Sequence, residues 1–351
     1  MDENKIITLG IESSCDETSV GIVVNGKEIL ANVISSQIDI HKQYGGVVPE
    51  IASRKHLENI NEVLEQALDE AKIKLEDVDV IGVTRGPGLI GALLVGVATA
   101  KMIAFALEKP LIGVQHIKGH LAANYLEFPE LQPPFVGLVV SGGHTTLTIV
   151  EDYLEMKEIG ATRDDAVGEA YDKVARVLGL GYPGGPKVDK LAKEGDETAV
   201  AFKRVLLEKG NMDFSFSGTK TAVINFLSNQ KQKGQDFEKG NVVGDRGQII
   251  SKADLAASFQ RAILDVIVEK TVELAKRENL DKIVMCGGVA ANSRLRELLR
   301  EKATKSNIEI YYPSPKLCTD NGAMIAAATY YAYKNGEIEG LEMDASASFG
   351  L

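Results

Sequence analysis

Apolar stretches and short polar breaks alternate from the start of the chain. Residues 6–24 read as strand, tight polar turn and strand, and Asn25-Gly26 is a hairpin turn into a third strand. Tyr44-Gly-Gly-Val-Val-Pro-Glu50 marks a loop. After it Leu57, Ile60, Leu64, Ala67, Leu68 and Ala71 recur at i, i+3, i+4 and i+7, which predicts an amphipathic helix over 52–73. A turn and a buried strand over 78–84 follow, then a glycine-rich turn over 85–91 and a nearly all-apolar helix over 92–107. Its small residues, Gly91, Ala92, Gly96, Ala98 and Ala100, suit close packing in a core or against a partner. The run 111–114 is a strand that delivers a helix over 116–126. Beyond Pro133-Pro134 the opening pattern returns, because residues 135–150 are again strand, small polar turn and strand. A repeat at roughly 130 residues predicts two halves facing one another across a cleft.

The second half predicts a helix over 164–178 with acidic residues in its first turn, where the helix dipole favours them. Gly179-Leu-Gly-Tyr-Pro-Gly-Gly-Pro186 reads as a loop and 187–194 as a helix. Residues 213–220 read as a short polar and aromatic strand, and the Gly/Gln/Lys-rich stretch 228–250 as a mobile insertion. An amphipathic helix over 254–278 turns Phe259, Ile263, Val266 and Ile267 inward. A buried strand over 282–286 then runs into Gly287-Gly288 and a helix to Arg300. A strand over 308–313 precedes the closing helix, which opens within 316–324 with Thr319 or Asp320 as candidate cap. The expected division is residues 1–132 and 133–351, with the closing helix, from about 320, packing back toward the first half.

Composition narrows the class. A chain of 351 residues, 44% hydrophobic, can build two cores. The longest candidate for a membrane span, residues 88–107, is interrupted by Gly91, Gly96, Thr99 and Lys101, so no span is expected. Met1-Asp-Glu-Asn leads straight into a strand, with no secretory pattern, and a cytoplasmic protein is expected. Cys15, Cys286 and Cys318 are far apart and form no C-x-x-C pair, which points to reduced thiols and away from a cysteine-rich zinc site. A net charge of −11 argues against a surface that coats nucleic acid, while leaving room for a local basic strip.

Three stretches could carry chemistry. His116 and His120, two of only five histidines, stand at i and i+4 in L-I-G-V-Q-H-I-K-G-H, so both imidazoles can reach one metal ion; a capped or solvated pair is the alternative. The turn with Ser13, Ser14, Asp16, Glu17 and Thr18 can offer N–H groups and hydroxyls to a phosphate, or be an ordinary hairpin. Gly287-Gly288, between a strand and a helix N-terminus, lets backbone approach a ligand closely.

Ten segments in order complete the pattern: I-E-S-S-C-D-E-T (11–18), V-V-P-E (47–50), R-G-P-G (85–88), H-I-K-G-H (116–120), V-S-G-G-H-T (140–145), E-A-Y-D-K (169–173), Y-P-G-G-P (182–186), F-S-F-S-G (214–218), G-G-V-A-A-N (287–292) and C-T-D-N-G-A-M (318–324). Together they closely resemble the bacterial TsaD family, tRNA N6-adenosine threonylcarbamoyltransferases once described as O-sialoglycoprotein endopeptidases. The resemblance implies an α/β fold, the duplicated actin-like ATPase (ASKHA, ribonuclease H-like) architecture with two similar subdomains around a nucleotide cleft. It implies transfer of the threonylcarbamoyl group of threonylcarbamoyl-AMP to N6 of adenosine 37, in tRNAs reading codons that begin with A, with release of AMP. By the same resemblance His116, His120 and Asp320 hold one divalent metal, iron or else zinc. Val139, Val140, Ser141, Gly142 and Gly143 bind phosphate and substrate, Asp172, Gly185 and Asp189 contact the nucleotide sugar, and Asn292 lies on the adenine side. ATP is a further nucleotide the cleft could take.

The implied partners are tRNA, a shorter paralogue of the same fold (TsaB) and a small P-loop ATPase (TsaE), with no membrane. The helices over 91–107 and 52–73 are the candidate paralogue surface, and Lys231, Lys233, Lys239 and Arg246 a candidate tRNA clamp. Two other readings compete. A metallopeptidase of the H-E-x-x-H kind needs Glu after the first histidine, where this chain has Ile117. A nucleotide-switched, chaperone-like binding module would share the fold but has no use for the histidine pair.

Overall fold

The computed structural model describes residues 5–208, 210–237, 239–244 and 247–350. The opening stretch folds as its pattern dictates: β1 (Ile7–Glu12), β2 (Glu17–Val24) and β3 (Glu28–Ser36) form an antiparallel meander. Asn25 and Gly26 both take positive φ, 51° and 69°, the backbone a two-residue turn needs to match strand twist. A short α1 (Ile38–His41) leads to α2 (Pro49–Ala71), which starts on a proline whose missing N–H would have had no helical partner. β4 (Val80–Gly86), α3 (Ile90–Leu107) and β5 (Leu111–Gln115) complete a sheet of order β3-β2-β1-β4-β5, with β1, β4 and β5 parallel. α4 (His116–Glu127) follows β5 without a loop; Gln115 caps it, its side-chain oxygen accepting from the Lys118 N–H at 3.0 Å.

The second half repeats this plan. β6 (Phe135–Val140), β7 (Thr145–Val150) and β8 (Met156–Ala161) form an antiparallel meander, and later strands add in parallel to β6. Between them lie α5 (Val167–Val177), α6 (Gly184–Ala192), α7 (Ser217–Gln232), the small hairpin of β9 (Val242–Val243) and β10 (Ile249–Ile250), and α8 (Lys252–Arg277). β11 (Lys282–Cys286), α9 (Ser293–Thr304), β12 (Glu309–Tyr311), α10 (Pro315–Cys318) and α11 (Gly322–Lys334) close the chain. The sheet order β12-β11-β6-β7-β8 is the first sheet's order read from the other end. The strand-turn-strand repeat in the sequence is therefore the visible part of a repeated five-stranded sheet.

α4 and α11 form a shared layer between the sheets. Ile117 and Leu121 of α4 and Met324, Ile325 and Ala326 of α11 pack with Val114 of the first sheet and Val139 and Val284 of the second. α11 crosses β2 so closely that a Cβ on Gly322 would lie 2.1 Å from the Gly21 nitrogen, and its first N–H, on Gly322, donates to Ser19 Oγ at 2.8 Å. The chain end returns along the first sheet: the Glu339 N–H donates to the Leu111 carbonyl, and the Ser346 N–H to that of Arg85.

Several expectations are corrected. Residues 217–220 open a helix, not a strand, and that helix runs to Gln232, so the stretch expected to be a mobile insertion is structured over 228–232 and again in the β9–β10 hairpin. The cause is a cap from far along the chain: Asp164 accepts the N–H groups of Phe216 at 2.9 Å and Ser217 at 3.2 Å. Asp164 thus precedes α5 instead of sitting in its first turn. α6 begins at Gly184, inside the expected loop, because Asp172 Oδ1 accepts the Gly184 N–H at 2.6 Å and Pro186 falls in the first turn, where no N–H is needed. α11 is capped by Asn321, whose Oδ1 accepts from Met324 at 3.0 Å, leaving Thr319 and Asp320 outside the helix. Ile90–Leu107 is, by length and composition, long and apolar enough to cross a membrane, although interruption by Gly and Lys was expected to prevent that; in this fold it packs on α2 and β4. Arg246 of the candidate clamp lies outside the described residues.

Candidate metal and substrate site

The parallel strands β1, β4 and β5 end side by side, and the residues at their C-terminal ends form the floor of the site. Glu12 ends β1, Thr84 lies near the end of β4, and His116 follows β5. Glu12 is fully buried. Its Oε2 lies 3.1 Å from His116 Nδ1 and accepts the Thr84 hydroxyl at 2.5 Å, and its Oε1 accepts the Ser14 N–H at 2.5 Å. A carboxylate at Nδ1 places that nitrogen's hydrogen toward Glu12 and turns the Nε2 lone pair the other way.

On that other side Nε2 of His116 is 3.6 Å, and Nε2 of His120 3.1 Å, from Asp320 Oδ1. One ligand atom from each of the three residues lies within 4.8 Å of the others. The helical spacing alone brings the histidine rings to 4.6 Å between centroids, and the loss of Asp320 from the helix cap is what lets its carboxylate turn to them. Burial alone would lower the pKa of His116, but Asp320 and Glu12 outweigh it and push the imidazole up to about 9. Burial likewise opposes ionisation of Asp320, yet His116 and His120 hold it well below the ordinary carboxylate range. A corner that favours positive charge between buried groups suits a cation. Both nitrogens of His120 are buried and, among the described residues, neither has a partner that meets hydrogen-bond geometry, Nε2 standing against Asp320 as a close ionic approach. Unsatisfied imidazole nitrogen costs free energy unless something else engages it, and a two-nitrogen, one-oxygen set fits a transition metal such as iron or zinc.

The second sheet contributes the turn after β6. Val139 and Val140 are buried, so only their backbone can reach a ligand, while Gly142 and Gly143 are exposed and a Cβ on either would meet nothing within 4 Å. The turn is closed by Ser141 N–H to the His144 carbonyl at 2.8 Å and by His144 N–H to Ser141 Oγ at 3.0 Å. Gly287 comes against it at φ 90°, with a Cβ there 2.4 Å from the Val140 carbonyl oxygen. His144 approaches this corner from the second sheet, its ring centroid 6.1 Å from that of His116. Burial first, then the charge of His116 and His120, press its pKa down to about 4.

The expected nucleotide contacts lie on neighbouring elements, Asp172 midway along α5, Gly185 and Asp189 on α6, and Asn292 at the cap of α9. Burial raises the Asp172 pKa even though it caps α6, and among the described residues a Cβ on Gly185 would meet nothing within 4 Å beyond its own helix and chain neighbours. Asp189 accepts the Ser293 hydroxyl at 2.9 Å and N–H at 3.2 Å. Asn292 caps α9 through Oδ1 and gives its amide hydrogens to Gln260 at 3.0 Å and Tyr171 at 3.3 Å. Asp189 and Asn292 thus have partners within the protein. Sequence reasoning missed Glu12, Thr84 and His144; the available signal was a carboxylate inside an apolar strand and a histidine in the repeated hairpin.

A family model described as TsaD: tRNA N6-adenosine threonylcarbamoyltransferase matches residues 28–327. The chain belongs to the TsaD family. A protein of that name from Clostridium perfringens is 53% identical over 348 residues, 99% of each chain, and one from Clostridium novyi is 52% identical over 344 residues, 98% of this chain and 97% of that one. Among solved structures, HypF from T. kodakarensis matches with a TM-score of 0.63 and 14% identity over 97% of this chain and 49% of its own. Component A of the Acidaminococcus fermentans (R)-2-hydroxyglutaryl-CoA dehydratase matches at 0.51 and 19%, over 94% and 98%. These two structures, at such low identity, speak to fold alone, and with the repeated sheet they show the duplicated actin-like ATPase architecture. TsaD members are tRNA-modifying acyltransferases, and this chain is one of them.

Proposed function

We propose that His116, His120 and Asp320 hold a divalent metal, iron in preference to zinc, and that beside it the chain transfers threonylcarbamoyl from threonylcarbamoyl-AMP to N6 of adenosine 37. The tRNAs are those reading codons that begin with A, and AMP is released. The observation that carries the metal is His120, both of whose ring nitrogens are buried beside Asp320 and, among the described residues, without a partner in hydrogen-bond geometry. When bound, such a metal supplies Lewis-acid stabilisation of negative charge on substrate oxygens. Glu12 fixes the tautomer and ring plane of His116. The open Gly142-Gly143 turn brings backbone N–H groups close to the adenylate, and Asp172, Gly185, Asp189 and Asn292 mark the nucleoside side.

A carbamic–phosphoric anhydride is already activated, so positioning and charge stabilisation suffice and no covalent enzyme intermediate is required. Cys15, the thiol in the turn, supports this: burial first, then Asp16 and Asp320, push its pKa well above the ordinary thiol value, which leaves it a poor nucleophile. A target base in a tRNA loop is cheap to splay into the cleft. Replacing His116, His120 or Asp320 by Ala is expected to slow transfer by about 100-fold or more while tRNA binding stays within about threefold. Equal losses in both contradict the reading.

The partner assignments belong to the same proposal. α3 turns Ile90, Leu94, Met102 and Phe105 to solvent, and α2 adds Leu57. An apolar stripe of that kind suits a second protein, and we assign it to the TsaB paralogue, with TsaE joining the assembly. Lys231, Lys233 and Lys239, at the end of α7 and beyond, form the candidate tRNA clamp; deletion of residues 230–246 without weaker tRNA binding would dispose of it. A tRNA substrate puts the work in the cytoplasm. The division at Pro133-Pro134 is the boundary we propose between the two subdomains.

A further inference from the structure

α2 carries a histidine turned toward the back of the turn that lines the site. His56 is fully buried, with Nδ1 2.7 Å from Thr18 Oγ1 and Nε2 3.0 Å from the backbone oxygen of Cys15. A carbonyl oxygen only accepts, so the hydrogen sits on Nε2; Nδ1 is then the acceptor, and the Thr18 hydroxyl donates to it. Both ring nitrogens are committed, and the neutral ring has one tautomer. The direction of its pKa agrees with this: burial first, with His41 adding to it, lowers the His56 pKa against the carbonyl of Cys15 and the carboxylates of Glu12 and Asp16, which raise it.

The segment held by this ring faces the metal corner. Ser14 Oγ lies 3.3 Å from His116 Nδ1, and the Ser14 N–H holds Glu12 Oε1. The same turn is gripped from α3, because Ser13 Oγ donates to the Ala92 carbonyl at 2.9 Å and the Leu89 N–H to the Ser14 carbonyl at 2.8 Å. Residues 13 and 14 are therefore fixed by α3 and residues 15 and 18 by His56. The β2 side is also held through its backbone, by the Gln37 N–H on the Asp16 carbonyl at 2.9 Å and by the pairing of Glu17 and Thr18 with β3, and the ring adds the one hold that joins Cys15 to the Thr18 side chain. A leucine of similar size would fill the space without the desolvation a buried imidazole costs, so packing alone does not account for a histidine here.

We propose that His56 is a positioning residue of the transfer reaction, acting through Thr18 and Cys15 to hold residues 13–18 in the place that keeps Ser14 and Glu12 on His116. The proposal rests on the transfer reading above, and its test keeps the two apart. Zn²⁺ affinity of the full chain, measured by competition with a chromophoric chelator, needs no turnover. Single-turnover transfer from threonylcarbamoyl-AMP to unmodified tRNA is measured beside it, with the paralogue present.

His56→Ala is expected to weaken Zn²⁺ about tenfold and to slow transfer about tenfold, with the half-saturating adenylate concentration within about threefold of wild type. Thr18→Val is expected to slow transfer in the wild-type background and to add less than about twofold in His56→Ala, because both remove one contact. His56→Gln, whose amide can still donate to the Cys15 carbonyl, is expected to recover part of the rate. Unchanged Zn²⁺ affinity and rate with only a lowered melting temperature, or effects of the two substitutions that multiply, overturn the proposal. If His56→Ala does not fold, Thr18→Val and His56→Gln decide it, and a wild-type rate in both overturns it. A wild-type chain that binds Zn²⁺ but transfers nothing contradicts the transfer reading, while the affinities still report on His56.

Discussion

Glu12 shows what one residue contributes to this site. A carboxylate sealed from solvent is costly unless every oxygen is engaged, and here His116, Thr84 and the Ser14 N–H engage both. Burial raises its pKa, but the attraction and hydrogen bond of His116, with the Ser14 hydrogen bond, leave it lowered from the ordinary carboxylate value. Glu12→Gln keeps the size and removes the charge that orients the imidazole. We expect it to weaken Zn²⁺ binding about 10- to 100-fold in chelator competition; unchanged affinity would show that Glu12 serves packing alone. The histidine pair was legible in the sequence because both members sit one turn apart on one helix. Glu12 and Thr84 belong to different strands that meet only when β1 pairs with β4, and His144 comes from the other sheet, so no local spacing could reveal them.

At the scale of elements, most strands and helices were legible, since their periodicities are local. The misreadings at α6 and α7 share a cause: carboxylates distant in sequence cap them, Asp172 for α6 and Asp164 for α7. β8 was missed because Lys157 and Glu158 face solvent and leave no apolar alternation. Asp164→Ala should cost about 1–2 kcal/mol of stability by urea unfolding, and no change would remove the cap from the account. Beside it, Asp165 accepts from Lys173 at 2.7 Å and Lys220 at 2.6 Å, tying α5 to α7. Burial raises the Asp165 pKa and the two lysines lower it further than that, so its folded value lies below its unfolded one. The stabilisation is therefore present above the unfolded pKa of about 3.9 and is lost as the pH falls below it. Asp165→Asn should be less stable than wild type at pH 7, by about 1 kcal/mol after allowance for solvent screening, with the gap closing below about pH 4. A gap that does not change with pH contradicts the ion-pair account.

For the whole molecule, the repeated sheet and the shared α4–α11 layer explain why the candidate metal corner lies where it does. α4 brings both histidines to the junction of the sheets, and the loop before α11 brings Asp320. The crossing of α11 over β2 admits no side chain at Gly322, so Gly322→Ala should destabilise by about 3 kcal/mol or fail to fold; a wild-type melting temperature contradicts that packing. On the outer face, Met102→Glu with Phe105→Glu should leave the isolated chain's melting temperature within about 2 °C, because both side chains already meet water. The same pair of changes should abolish paralogue binding in a titration, and intact binding would move that interface elsewhere. The most direct test of the central claim is single-turnover transfer from threonylcarbamoyl-AMP to unmodified tRNA, by the chain and its paralogue, before chelation, after it and after metal is restored. The account predicts modified adenosine that disappears on chelation and returns with iron or zinc. Transfer that persists after complete metal removal would contradict it, and would leave His116, His120 and Asp320 as structural groups.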